Sequence, residues 1–340
     1  MNKLVFIGFA FQHHKGTHAG YHHIKEYVNY DYIVDCQSFI EKCNRPSKNI
    51  INHVWRYMMF LLTGFPCFPI YFIKLLKINY SEDNVVFHFI YGENLYTPLL
   101  KVFLRKRNKI VCTFHQPFEW FDNRIKWRKR LNKIDKVILM SDKEICQFES
   151  LVGKDKVYYI PHGICTDFYK LNDKRDAEEP VLLTVGNWLR DYKIANEVYK
   201  KVLCYFPKLK IYVVAAPKST EPIECNERII CLSGISDEEL RQLYWSCNVL
   251  YLPLVRYTAN NALLEAGASG CNIVIASDST DNSYIPSEYI QEVGLNVDDS
   301  VNAIIRCMTN DKNNQLALYV DANFSWNVVG RNAECVLRTT

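Results

Sequence analysis

Residues that could do chemistry gather where polar side chains interrupt short apolar runs. The stretch from Thr258 opens with Thr258, Asn260 and Asn261 and continues Ala262-Leu263-Leu264-Glu265-Ala266-Gly267-Ala268-Ser269-Gly270. A polar loop opening a small-residue helix leaves backbone N–H groups unpaired at the helix start. Together with the helix dipole they favour an anion such as a diphosphate. Glu265, one to two turns into that helix, can accept hydrogen bonds from hydroxyls of the same ligand. A second constellation, Gly186-Asn187-Trp188-Leu189-Arg190-Asp191-Tyr192-Lys193, puts a glycine and two cations in one loop. Polar groups also follow two other apolar runs: His88 with Tyr91-Gly92-Glu93-Asn94, and His115-Gln116-Pro117.

The loop 10–20 holds His13, His14, Gly16, His18 and Gly20. Its glycines do not form G-x-G-x-x-G, so backbone amides or histidines that meet a substrate or its phosphates are the reading here. His14, His18 and His22 stand four apart, which on a helix would align them for a metal. Gly16 and Gly20 make the segment a loop and no H-E-x-x-H is present, so no metal site is expected.

The elements that must position these groups alternate. Apolar strands are predicted at 3–9, Val85–Phe89, Lys109–Phe114, Lys136–Met140 and Val157–Ile160. In the second half they fall at Val181–Val185, Leu209–Val214, Ile229–Leu232, Val249–Leu254 and 272–277. Helical segments lie between, beginning at Tyr21, at 142–152 behind Ser141, from the Lys193 loop to Cys204, and from Ser236 to Cys247. Ser236 with Glu239 makes a capping box. Strand–helix alternation through both halves predicts α/β architecture with doubly wound parallel sheets, whose ligands collect at the carboxyl ends of strands. Three parts are expected: an N-terminal domain over 1–165, a second domain over 166–322 after the polar linker 166–180, and a C-terminal helix over 323–340 that packs back on the first domain.

At 340 residues and 49% hydrophobic the chain is long enough for two cores. The net charge of +4 is unevenly spread, with a basic first half and an acidic second. Residues 101–133 are strongly basic and interleaved with Phe118, Trp120, Phe121 and Trp127. Such a face suits an anionic membrane surface or a phosphorylated substrate, or is simply a solvated helix face; with no nucleic-acid motif, nucleic acid is not expected. Thirteen cysteines without a C-x-x-C pair point to a reducing cytosol rather than to zinc or a disulfide framework. The N-terminus reads as a first strand rather than a signal peptide. The uncharged segment Tyr57–Ile73, broken by Gly64, Pro66 and Pro69, reads as a buried helix pair with a turn at 64–69, and shallow membrane contact is the alternative.

Taken together the motifs resemble the glycosyltransferase family 4-like group. Ile160-Pro161-His162-Gly163-Ile164 resembles I-P-[HN]-G-[IV]. Gly186 with Arg190 and Lys193 resembles the basic loop that grips the donor diphosphate. Ser233-Gly234-Ile235-Ser236 with Glu239-Leu240 and Leu243-Tyr244 resembles the stretch before the nucleotide-binding strand, and Leu264-Glu265-Ala266 with Gly270 resembles L-E-A-x-A-x-G. Two positions depart: Tyr257 stands where E-x7-E has its first glutamate, and Asn187 where an arginine usually follows the glycine.

The resemblance implies a GT-B architecture, two Rossmann-like domains facing across a cleft, and a retaining, metal-independent glycosyltransferase of hexosyltransferase type. It would move a sugar from a UDP- or GDP-sugar to a glycan or lipid-linked acceptor in cell-surface polysaccharide synthesis, in the cytoplasm or at the inner face of the membrane. It implies catalytic roles for His115, Arg190 and Lys193, and donor contacts from Glu265, Asn260, Asn261, Thr258, Gly186 and Ser233. Gly16, His18 and Gly20 would form an acceptor or phosphate loop. The nucleotide-sugar is a substrate, and no cofactor is implied. Two other readings stand beside it: a nucleotide-sugar epimerase of the same fold, which would act on donor alone, and a sugar-nucleotide-binding protein without catalysis, for which Tyr257 is the motive.

Overall fold

Runs of Val, Ile, Leu and Phe too short for helices become parallel strands that helices bury on both faces. The computed structural model of the chain describes residues 1–37, 68–172, 179–255, 260–278 and 284–340. These form two compact units. One comprises Met1–Lys15, Gly20–Gly163 and Asn327–Thr340, and the other Gly16–Ala19 and Ile164–Trp326.

The first unit is a six-stranded parallel sheet of β1 (Lys3–Gly8), β2 (Tyr32–Asp35), β3 (Val85–Phe89), β4 (Lys109–Phe114), β5 (Lys136–Leu139) and β6 (Val157–Tyr159), in the order β2-β1-β3-β4-β5-β6. Register starts at Lys3 opposite Val85 and Val86 opposite Lys109. The order reverses between β1 and β3, so the loops after those two strands leave the same edge of the sheet on diverging paths. The C-terminal helix Trp326–Arg338 belongs here from Asn327 onward. A Cβ at Gly330 would lie 2.7 Å from the backbone oxygen of Tyr27, so only glycine allows this approach. Arg338 fastens the helix end through Nη1 to the Asn2 carbonyl at 2.7 Å and Nη2 to the Asn29 carbonyl at 3.0 Å.

The second unit repeats the plan with β7 (Val181–Val185), β8 (Lys210–Val214), β9 (Ile229–Leu232), β10 (Val249–Pro253), β11 (Asn272–Ala276) and β12 (Gln291–Val293), ordered β12-β11-β10-β7-β8-β9. Period-2 alternation divides its residues between two cores. Leu183, Leu250, Leu252 and Ile273 pack with Leu263 and Leu264 of the helix Asn261–Ala268. Leu182, Tyr251 and Val274 pack on the other face with Val198 and Tyr199 of the helix Tyr192–Tyr205. The helices that follow β7 and β10 therefore lie on opposite faces. The carboxyl ends of these two adjacent strands are the topological switch point, where ligands collect in such sheets.

Several local expectations change. The helix expected from Tyr21 is only a 3-10 turn, Tyr21–Glu26, behind Gly20 at φ 104°. Its sequence, Tyr-His-His-Ile-Lys-Glu, holds weak helix formers and has no acid in its first turn. Behind Ser141 a 3-10 turn, Asp142–Glu144, precedes the helix Ile145–Val152, which stops at Gly153 with φ 98°. Ser236 and Glu239 form the reciprocal capping box on the helix Asp237–Ser246. The turn expected at 64–69 is overlapped by the helix Phe68–Ser81, with Pro69 in its first turn, where a missing N–H costs nothing. The rest of the Tyr57–Ile73 reading lies outside the described residues. Among the described residues no helix is long and apolar enough to cross a membrane.

Candidate functional site

In the second unit the chain leaves β7 at Gly186, where φ is 112°. A Cβ there would meet the Arg190 guanidinium at 2.7 Å, so the glycine serves both the backbone turn and the arginine. The loop returns to β10: Asp191 N–H donates to the Pro253 carbonyl at 2.9 Å and Val255 N–H to the Leu189 carbonyl at 3.0 Å. Asp191 then caps the helix Tyr192–Tyr205. The result turns Arg190 inward. Its Nη1 donates to the Trp188 carbonyl at 2.7 Å, and its Nη2 to the Val185 carbonyl at 3.1 Å and the Asn260 Oδ1 at 3.2 Å. Nε is enclosed without a partner among the described residues. Every partner is neutral, and burial pushes the guanidinium's pKa down. A cation held by carbonyls alone, with no carboxylate beside it, is arranged to receive an anion.

Asn260 is the N-cap of the helix Asn261–Ala268, its Oδ1 accepting the Leu263 N–H at 3.3 Å. One oxygen thus ties Arg190 to the helix start. Glu265, buried on the same helix, accepts the Tyr244 hydroxyl at 2.8 Å through Oε2. Burial pushes its pKa up to about 7; the Tyr244 hydrogen bond pulls the other way and repulsion from Asp237 adds to the rise. Near neutrality this carboxyl sits between its two protonation states, so a ligand hydroxyl can shift the balance. Lys193 is exposed on the first helical turn. Ser233 is exposed behind β9, the edge strand two places from β7, and no hydrogen bond joins it to Arg190, Asn260 or Glu265. The short segment Gly16–Ala19 belongs to this unit: His18 stacks on Phe168 at 3.6 Å and its Nδ1 lies 3.0 Å from Asp237 Oδ2.

In the first unit His115 follows β4. Its ring meets Tyr21 edge-on at 5.0 Å and Tyr91 at 4.6 Å, and its Nδ1 lies 3.5 Å from Glu93 Oε1. His162 is buried and meets Tyr21 edge-on at 5.6 Å, with Nδ1 2.6 Å from the Gly163 carbonyl. Burial holds His162 neutral, its pKa lowered to about 3. His88 is structural. It lies inside β3 with Nδ1 at 2.6 Å from the Tyr30 hydroxyl and Nε2 at 2.8 Å from Thr113 Oγ1, and burial lowers its pKa to about 3. His22 is likewise held down, to about 4, by burial. Among the described residues no group of three or more His, Cys, Asp or Glu side chains is gathered as a metal ligand set.

The structure thus brings Gly186, Arg190, Asn260, Asn261 and Glu265 to one switch point, and places His115 at a strand end of the first unit. Gly16 and Gly20 take positive φ, at 77° and 104°. Thr258 and Tyr257 lie outside the described residues. Sequence reasoning missed Asp237, whose charge repels that of Glu265, and Tyr21, whose ring meets both His115 and His162. No local spacing announces either relation, because each joins separate elements.

A doubly wound parallel sheet in each unit is the architecture of GT-B glycosyltransferases, and the chain has that fold. No protein-family model and no curated protein matches the sequence. Solved structures do match. A glycosyltransferase from Rickettsia africae superposes with a TM-score of 0.67 at 14% identity, over 99% of this chain and 98% of its own. HepE from Anabaena, solved in complex with UDP and glucose, gives 0.62 at 13% identity over 91% and 86%. Sucrose-phosphate synthase from Thermosynechococcus elongatus gives 0.60 at 17% identity over 84% and 79%.

Proposed function

We propose that the protein is a glycosyltransferase that moves a hexosyl group from a UDP- or GDP-sugar to a glycan or lipid-linked acceptor, with retention at the anomeric carbon, in polysaccharide synthesis. The observation that carries the reading is Arg190, a half-buried guanidinium with only neutral partners, fixed by Asn260 to the start of a helix that also bears a buried carboxylate. A nucleoside diphosphate supplies what this arrangement lacks. Its phosphates bring the anion and its ribose the hydroxyls for Glu265. Charge that develops on the leaving diphosphate is met by Arg190 and the helix-terminal N–H groups, with Lys193 close by in sequence, and we propose that this replaces a metal ion. His115 is the catalytic group we assign in the first unit, where it meets a sugar hydroxyl.

The neighbouring proteins support this reading through their names and ligands: HepE binds UDP and glucose. Peripheral docking on an anionic membrane belongs to the same proposal. Its support is the helix Ile125–Leu131, where Lys126, Lys129 and the 71% exposed Ile125 share one short element. The test is a thermal-shift screen of nucleotide-sugars against wild type and Glu265→Ala. Stabilisation of wild type alone by one UDP- or GDP-sugar, followed by transfer that survives a chelator, is the expected result. No stabilisation by any nucleotide or nucleotide-sugar sinks the proposal.

A further inference from the structure

We propose that Cys247 and Cys271 form a redox-active pair, a dithiol inside the second unit that a peroxide closes to a disulfide. The link staples the segment that carries Asn260 and Glu265. The inference goes beyond the transferase reading and does not rest on it.

Three observations carry it. First, the two sulfurs already meet. Cys247 Sγ lies 3.2 Å from Cys271 Sγ in a thiol–thiol hydrogen bond, so the length of a disulfide bond is reached by an approach of about 1.2 Å. Secondly, the fold holds their backbones side by side. Val249 at the start of β10 stands opposite Asn272 at the start of β11. Cys247 precedes that pair by two residues and Cys271 by one. Neighbouring strands run about 4.8 Å apart, which keeps the two Cα atoms inside the roughly 4.4–6.8 Å that a disulfide spans. Thirdly, the surroundings suit both oxidation states. The Tyr244 carbonyl accepts from Cys271 Sγ at 3.0 Å and from Cys247 Sγ at 3.5 Å, and it also accepts from Lys312 Nζ at 2.9 Å. Loss of both thiol protons therefore leaves this oxygen a charged donor, and the Tyr244 hydroxyl keeps its bond to Glu265.

The oxidant is hydrogen peroxide. One thiol attacks a peroxide oxygen and becomes a sulfenic acid as a first water leaves. The neighbouring thiol then attacks that sulfur and releases its oxygen as a second water. The two thiols lose two electrons and one peroxide gains them. Burial sets the pace. Both side chains are fully buried, so the oxidant arrives only through local opening of the core, and the exposed Cys146 and Cys204 react earlier. The same burial shields the closed link from reductants, which makes the pair a slow and lasting response rather than a fast sensor.

The test holds the full chain in excess hydrogen peroxide for a day, blocks the remaining thiols in denaturant and maps the peptides by mass spectrometry. The expected product carries a Cys247–Cys271 link, which the map separates from any link between Cys225 and Cys231, whose side chains also meet. The oxidised protein should melt about 5 °C above the reduced one, because the link closes a long loop in the unfolded chain. That gain should be lost in Cys247→Ala. Sulfinic or sulfonic acid at Cys247 or Cys271 overturns the proposal. So do two thiols that can still be blocked after Cys146 and Cys204 are oxidised, and a linked protein that melts no higher. If Cys247→Ala does not fold, the map and melt of the wild type still decide. No substrate enters the measurement, so a protein that turns over no nucleotide-sugar defeats the transferase reading and leaves this test standing.

Discussion

The first unit gathers His115, a carboxylate and aromatic rings after β4, and holds two further imidazoles that burial keeps neutral, His88 inside β3 and His162 after β6. At the ends of β7 and β10 the second gathers a guanidinium, an amide cap and a carboxyl near neutrality. The two sheets share topology, and each uses a glycine to bring a functional side chain close, Gly92 before Glu93 and Gly186 beside Arg190. The charge left open differs. In the second unit a cation has no acid partner among the described residues, while in the first the acid has one imidazole and no cation. On the proposed function, anion handling belongs to the second unit and hydroxyl recognition to the first.

The sharpest way to break this division is Arg190→Ala. Removing a preorganised positive donor from a site of developing charge should cost about 10²- to 10³-fold in turnover. Stability should hold or rise, because the side chain lost is a half-buried cation without a counter-ion. Thermal melting with and without the stabilising nucleotide-sugar checks both parts. A variant that melts early but still turns over normally would return Arg190 to a purely structural role.

His115→Ala tests the other unit. The expected loss is about 10²-fold in rate, with the melting shift induced by nucleotide-sugar unchanged, because the proposed function assigns the donor to the second unit. Loss of that shift in His115→Ala would mean that the two roles are not divided between the sheets as described.

Much of this was legible because strands buried on both faces must be apolar throughout: Val85–Phe89, Lys109–Phe114 and Val181–Val185 fall where uninterrupted runs place them. Arg190 and Glu265 were legible because a turn glycine and a helix start are local patterns. What could not be read is contact between elements. Tyr244 reaches Glu265 across 21 residues, and His18 reaches Asp237 across 219. Nor does a run of small residues reveal that Glu265 is buried enough to titrate near neutrality. Asn260 was legible as a polar loop residue, while its double use as helix cap and Arg190 acceptor depends on how β7 and β10 pair.

Burial of Glu265 supplies a smaller effect that also separates the units. Its folded pKa of about 7 lies above the ordinary 4.5, so its contribution to stability is fully present below about 4.5 and is lost as pH rises through about 7. Between pH 5 and 8 this should remove roughly 2 kcal/mol from the second unit. Glu265→Gln, which has no charge to bury, should flatten that slope, as denaturant melts across the range would show. Ribose hydroxyls donate to the charged form and lower this pKa, so nucleotide binding near pH 7 should release a proton in wild type and none in Glu265→Gln. Calorimetry in buffers of different ionisation enthalpy reads that release directly. An unchanged slope, or release from both proteins, removes Glu265 from the site.

The smallest expected effect asks whether the open cation itself matters. Asn260→Asp keeps a residue that caps helices as well as asparagine does, and puts a carboxylate oxygen where Oδ1 now lies 3.2 Å from Arg190 Nη2. The second unit would then resemble a completed ion pair. Arg190 stays in place, the helix start stays capped, and only the charge available to a ligand changes. The pair should stabilise the fold by up to about 1 kcal/mol, since it is only half-buried. At the same time the added negative charge should weaken nucleotide-sugar binding about tenfold, or 1.4 kcal/mol. A titration of the melting shift measures both in one experiment, because stability without ligand and affinity with it move in opposite directions. If Asn260→Asp binds the donor as tightly as wild type, the charge of Arg190 is not what holds the anion, and the helix N-terminus alone must do so.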